Sequence, residues 1–179
     1  MKRWIIGGVI TLILGGTTYK VSQSSIVNNF SKNTGLSQQQ AQQFVNNIPQ
    51  KDLASFSKIG QSLVSDGNAA LSDASSIDCT NYTYQWVTAS LSCQDGVNQF
   101  QTAGNDEITL GNCYESLNTN LGNSSKSTIN ECISDSDMVT SDYNLPIIIT
   151  LLDSKSIIDS KDAVIYDKSI LQAALQSNQ

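Results

Sequence analysis

Four cysteines in one central stretch constrain the fold of this chain more than any other feature of its sequence. They are Cys79, Cys93, Cys113 and Cys132. In an exported chain, an even number of cysteines predicts disulfides, although their spacing alone leaves the pairing open. We favour Cys79–Cys93 and Cys113–Cys132, because each of these bonds closes a short local loop and would stabilise the fold by about 3 kcal/mol.

Other chemistry for these cysteines fits their spacing less well. A four-cysteine zinc site and a redox dithiol both bring two cysteines close together in the sequence. Here 13, 19 and 18 residues separate successive cysteines. We therefore predict two disulfides, with no metal site and no cofactor.

The N-terminal segment predicts export of the chain. Lys2 and Arg3 precede an uncharged, mostly apolar run from Trp4 to Tyr19. As a helix this run would extend about 24 Å, which is short for a bilayer core of about 30 Å. We expect residues 1–20 to form a signal anchor, a single transmembrane helix that leaves the rest of the chain on the extracytoplasmic side. A cleaved signal peptide and a buried core helix are the alternatives.

Two features of this segment favour the anchor. Trp4 and Tyr19 stand near its ends, where aromatic side chains occupy the membrane interface. Gly7, Thr11 and Gly15 recur at every fourth position, and small residues on one helix face permit close contact with another membrane helix. The prediction therefore gives the chain a membrane and other membrane or envelope proteins as partners.

The charge balance excludes one class of partner. The formal net charge of the chain is −6, and two of its ten basic residues precede the apolar run. The remaining chain thus carries eight basic against sixteen acidic residues. Nucleic acids require clustered basic side chains, so we expect no nucleic-acid binding.

The chain contains no histidine. This excludes nucleophiles activated by histidine and removes the commonest zinc and iron ligand. A hydrolase with paired carboxylates is the remaining enzymatic alternative, and no local pattern singles out a pair. We predict that the protein is not an enzyme.

Beyond the anchor, the sequence predicts a linker and one domain. Residues 21–36 are polar and are expected to connect the anchor to the domain, with a short turn of helix around Ile26 and Phe30 as a possibility. Residues 37–179 are expected to be α-rich, and Ser37 with Gln40 fits a capping box at the start of a helix. The predicted fold class is mainly α, a disulfide-stapled helical bundle with a short strand or hairpin as a further possibility.

The best-patterned segment combines apolar and small residues at steps of three and four. We expect it to be a bundle helix that a partner helix approaches closely, with a homo-oligomeric coiled coil as the alternative. Residues 94–121 are also predicted to be helical, with an interruption at Gly104-Asn105-Asp106. The seam of the first segment consists of Leu53, Phe56, Gly60, Leu63, Gly67, Ala70, Ala74 and Ile77.

Two further groups of residues are candidates for ligand binding. Tyr82, Tyr84 and Trp86 alternate with other residues, a period typical of a strand or hairpin, although a helix would also place Tyr82 and Trp86 on one face. These residues either bind a small ligand or pack over a disulfide. A second group of three aspartates resembles part of a calcium loop, but it lacks the central glycine and the closing glutamate. A solvated polar loop is the favoured interpretation of Asp135, Asp137 and Asp142.

These observations favour one function class. We expect an extracytoplasmic accessory or structural protein that is anchored to the membrane and acts through contacts with other proteins. The alternative is an extracytoplasmic module that binds a small ligand or an ion.

Overall fold

The chain is described by a computed structural model over residues 10–14, 17–48, 56–80, 92–152 and 154–177. Within these ranges it is mainly helical, with two short strands and seven α-helices. The strands are β1 (Ile10–Leu14) and β2 (Thr17–Val21). The helices are α1 (Gln23–Thr34), α2 (Gln38–Asn47), α3 (Phe56–Ser76), α4 (Cys93–Ser116), α5 (Lys126–Asp142), α6 (Pro146–Leu151) and α7 (Ser154–Ser177).

The expected anchor helix is not supported by the structure. β1 and β2 pair antiparallel, with Leu14 opposite Thr17 and Ile10 opposite Val21. The strands are rich in β-branched residues, and the sequence between them is Gly-Gly, a common two-residue hairpin connection. Within the described ranges, no helix combines the length and the hydropathy that crossing a membrane requires. Trp4, Gly7 and Gly15 lie outside the described residues.

The segment expected to be a polar linker contains α1. Ile26, Val27 and Phe30 recur at helical spacing and are buried in the core, which explains why so polar a segment folds. The helix ends at Gly35, which has a φ of 73° and so adopts the left-handed conformation that glycine tolerates. The helix is longer than the short turn expected around Ile26 and Phe30.

α2 begins as the sequence predicts. Ser37 accepts a hydrogen bond from the backbone N–H of Gln40, and the Gln40 side chain accepts one from the backbone N–H of Ser37. This confirms the capping box. The helix places Phe44 against Phe30 of α1, with ring centroids 4.5 Å apart.

α3 and α4 pack antiparallel along a line of glycines. A Cβ added to Gly60 would lie 2.5 Å from the carbonyl oxygen of Gly111, and one added to Gly67 would lie 2.4 Å from that of Gly104. Only residues without a side chain permit this approach of the two backbones. The described part of the seam therefore has its partner helix within the same chain, as expected for a bundle helix.

The interruption predicted near Gly104 does not occur. α4 runs without a break from Cys93 to Ser116. Gly104 and Gly111 are seven residues apart, so both lie on the face of α4 that meets α3. Here glycine serves close packing between helices and not chain reversal.

The two disulfides connect neighbouring helices. Cys79, just after α3, is bonded to Cys93 at the start of α4, and their Cα atoms are 5.6 Å apart. Cys113 of α4 is bonded to Cys132 of α5, with Cα atoms 5.4 Å apart. Both pairings confirm the prediction. Disulfides of this kind are typical of an oxidising, extracytoplasmic environment.

Candidate functional site

A groove lies where α3, α4, α5 and α6 meet, with Ser160 of α7 also in its lining, and it encloses a volume of about 310 Å³. Its walls are mostly apolar, and four carboxylates stand among them. Apolar pockets with a few convergent polar groups are the usual form of binding sites. The apolar part includes Ala70, Phe100, Ala103, Val139, Ile148, Leu151 and Leu152. The carboxylates are Asp66, Asp73, Glu107 and Asp142.

The short helix α6 forms one lip of the groove. Pro146 occupies its first turn, where proline costs no hydrogen bond, and the apolar run that follows turns Ile148 toward the core. Leu151 and Leu152 remain 38% and 42% exposed although they line the groove. Large exposed side chains that cluster at a concave site are typical of an interaction surface.

Glu107 is a half-buried carboxylate of the groove that accepts a hydrogen bond. The hydroxyl of Tyr143 donates a hydrogen bond to its Oε1 atom at 3.3 Å. Burial raises the pKa of Glu107 to about 7, although the Tyr143 hydrogen bond opposes part of this change. Burial, together with the neighbouring Glu107 charge, also raises the pKa of Tyr143 above its usual range, so the phenol remains protonated as a donor.

Asp142 contributes the second carboxyl group at the α5 wall. Its Oδ2 atom is buried and accepts no hydrogen bond from the described residues. Burial raises the pKa of Asp142 to about 7, and the adjacent Asp106 carboxylate acts in the same direction. Because neither carboxylate can donate when ionised, Asp142 and Asp106 can hydrogen-bond to each other only when one holds a proton.

The groove carboxylates have no basic partner in the part of the chain that the structure describes. The ion pair found there joins Lys168 to Asp137, and neither residue lines the groove. Two of the groove acids, Asp66 and Asp73, are exposed on α3. The groove therefore combines apolar walls with uncompensated negative charge at its rim and titratable carboxyls deeper in.

The predicted aspartate loop does not exist as a loop. Asp135, Asp137 and Asp142 all lie on α5, where Asp135 is buried, Asp137 pairs with Lys168, and Asp142 lines the groove. Asp137 lies on a different face of α5 from Asp135 and Asp142, and the latter two are two turns apart, about 10 Å along the helix, so the three do not converge as calcium ligands. Among the described residues, no group of three or more His, Cys, Asp or Glu side chains could hold a metal ion.

The three aromatic residues predicted to bind a ligand, Tyr82, Tyr84 and Trp86, lie outside the described residues. The groove itself was missed, because its residues come from five helices that only the fold brings together. A weak signal was present in Asp66 and Asp73, which are seven residues apart and therefore share a face of α3.

Known proteins do not assign a function to this groove. No protein-family model, curated protein or solved structure matches the chain. Apolar walls with unpaired carboxylates suit a ligand that has both apolar surface and positive charge.

Proposed function

We propose that this protein works outside the cytoplasm as a non-enzymatic accessory protein that binds another protein through the α3–α6 groove. The observation that carries the proposal is the exposure of Leu151 and Leu152 at the lip of a concave, mostly apolar site. Ile149 on the same short helix is a further exposed apolar side chain, 53% exposed. Because about half of each side chain is already covered, burying the rest against a partner would contribute about 1 kcal/mol each.

The extracytoplasmic part of the proposal is supported by the two disulfides. Cys79–Cys93 and Cys113–Cys132 join successive helices, and such bonds persist in oxidising compartments. The proposal does not include a membrane-spanning helix, since β1 and β2 occupy the described part of the segment expected to form one.

Site-specific photo-crosslinking in the native host tests the proposal. A photoreactive residue would replace Leu152 in the groove or, as a control, Gln39, which is exposed on α2 and does not line it. We expect one defined crosslinked product from position 152 and none from position 39. The product should disappear when Leu151 is replaced by serine. An absence of crosslinks at position 152, with the protein monomeric in its native extract, would refute the proposal.

A further inference from the structure

The carboxylates of the groove and its apolar lip together define what kind of partner surface fits. We infer that the groove binds an amphipathic segment of the partner protein whose lysine or arginine side chain reaches Glu107 and Asp142 while its apolar side chains cover Leu151 and Leu152. This inference rests on the proposed function. It adds the chemistry of the partner segment, and the experiment below separates the two.

Charge complementarity is the first argument. Asp66 and Asp73 on α3 face the groove from one side, and Glu107 and Asp142 lie deeper between α4 and α5. Across the described ranges, none of these four carboxylates forms an ion pair with a basic side chain. A partner that places a cation here would gain charge-assisted hydrogen bonds, whereas an acidic partner would be repelled.

The unfilled hydrogen-bonding capacity of Asp142 is the second argument. Its Oδ2 atom is buried, and when Asp142 and Asp106 are both ionised it has no donor among the described residues. Glu107 accepts from Tyr143 at 3.3 Å through Oε1, and an ionised carboxylate has acceptor capacity for further donors. A lysine ammonium has three donors and an arginine guanidinium five, so either group has enough donors for both carboxylates.

The shape of the groove is the third argument. Its volume of about 310 Å³ lies at the small end of the range for ligand pockets of roughly 300–1,000 Å³. This volume is suited to a few side chains of a larger molecule. The rest of that molecule would contact the exposed parts of Ile149, Leu151 and Leu152. An amphipathic segment laid against helices in this way is a recurring mode of peptide recognition.

Binding of a cation has a proton signature. Glu107 and Asp142, each with a pKa of about 7, are partly protonated at neutral pH. A cation in contact favours their ionised forms and therefore releases protons to the buffer. In the unbound groove, the charge of Asp66 opposes ionisation of Glu107, and the charges of Asp106 and Glu107 oppose ionisation of Asp142. The hydrogen bond from Tyr143 acts the other way and favours the ionised form of Glu107.

The test uses the full chain with its disulfides intact and three labelled amphipathic peptides. One peptide is built of leucine and lysine, the second has glutamine in place of lysine, and the third has glutamate. We expect the lysine peptide to bind about tenfold more tightly than the glutamine peptide, and the glutamate peptide not to bind. Calorimetry in two buffers with different ionisation enthalpies should show proton release for the lysine peptide alone.

Variants locate the effect in the groove. Glu107→Gln and Asp142→Asn should each weaken the lysine peptide by about tenfold and leave the glutamine peptide unchanged. The matched control is Glu115→Gln, an exposed glutamate of the same helix that does not line the groove, and it should have no effect. Circular dichroism and melting temperatures show that each variant is folded.

Three results would overturn the inference. They are equal binding of the lysine and glutamine peptides, no binding of either, or binding of octylamine as tight as that of the lysine peptide. If position 152 still captures a defined protein in any of these cases, the proposed function stands and only the chemistry of the partner segment is wrong. If capture fails as well, both are wrong.

Discussion

The carbonyl oxygen of Gly104 lies 2.4 Å from the position that a Cβ on Gly67 would occupy, and the carbonyl oxygen of Gly67 lies 2.9 Å from the corresponding position on Gly104. The same reciprocal arrangement joins Gly60 and Gly111 one heptad away. Two glycine pairs thus set the distance between α3 and α4. Because α4 also supplies Glu107 and Phe100 to the groove, this distance fixes how wide the groove is.

Gly67→Ala is expected to destabilise the protein by about 2 kcal/mol. Alanine has the better helix propensity by about 1 kcal/mol, but its methyl group would collide with the backbone of α4. Urea denaturation measures the change in the free energy of unfolding. Ser65→Ala, at an exposed position of the same helix, is the control and should be neutral or slightly stabilising. A stable Gly67→Ala protein would contradict the close packing.

Phe30→Ala is expected to destabilise the protein by about 3–5 kcal/mol. Phe30 is fully buried, stacks on Phe44 with centroids 4.5 Å apart, and meets the edge of Tyr166 at 6.3 Å. Thermal unfolding followed by circular dichroism tests this. The control is Lys32→Ala on the exposed face of α1, which should change little. If Phe30→Ala unfolds like the unmodified chain, the segment is a linker after all.

The sequence was informative where one residue type has one structural consequence. Spacing of the cysteines favoured the pairing that is found, and Ser37 with Gln40 identified the start of α2. It failed where a residue type has several uses. Glycine at position 104 indicated a break, but the glycine is used to bring helices together, a choice that depends on Gly67 in a distant segment.

The candidate site was less accessible to prediction than the fold. Glu107 and Asp142 are 35 positions apart in the sequence, and both line one groove because α4 packs on α5. No local pattern encodes such a pair. The sequence predicted a polar loop at Asp135, Asp137 and Asp142, because Asp and Ser are frequent in loops. The apolar residues that α5 buries at helical spacing are Ile129, Cys132 and Val139.

Loss of the Cys113–Cys132 bond is expected to cost about 3 kcal/mol of unfolding free energy. The bond ties α4 to α5, the two helices that hold Glu107 and Asp142, so its removal should also weaken peptide binding in the groove. The double variant Cys113→Ala/Cys132→Ala is compared with Cys79→Ala/Cys93→Ala in urea denaturation. Equal stability of the first double variant and the unmodified protein would show that this bond is dispensable.

The protein is expected to become more stable as the pH falls from 8 to about 5. Burial raises the pKa of Glu107, Asp142 and Asp167 to about 7, whereas a carboxyl group in the unfolded chain titrates near 4. Between these values the folded state binds more protons than the unfolded state. Stability therefore decreases as the pH rises through this window and is then constant above it.

The size of this effect is limited by solvent. A single carboxyl group whose pKa is this much higher in the folded state would change the free energy of unfolding by up to about 1.4 kcal/mol per pH unit. Solvent screening reduces this contribution for the partly exposed Asp142. Melting temperatures at pH 5, 6, 7 and 8 and constant ionic strength measure the trend. Glu107→Gln removes one of the three groups and should flatten the curve, whereas Glu115→Gln should not. A melting temperature that rises with pH over this range would mean that these carboxyls are ionised and well solvated in the folded protein.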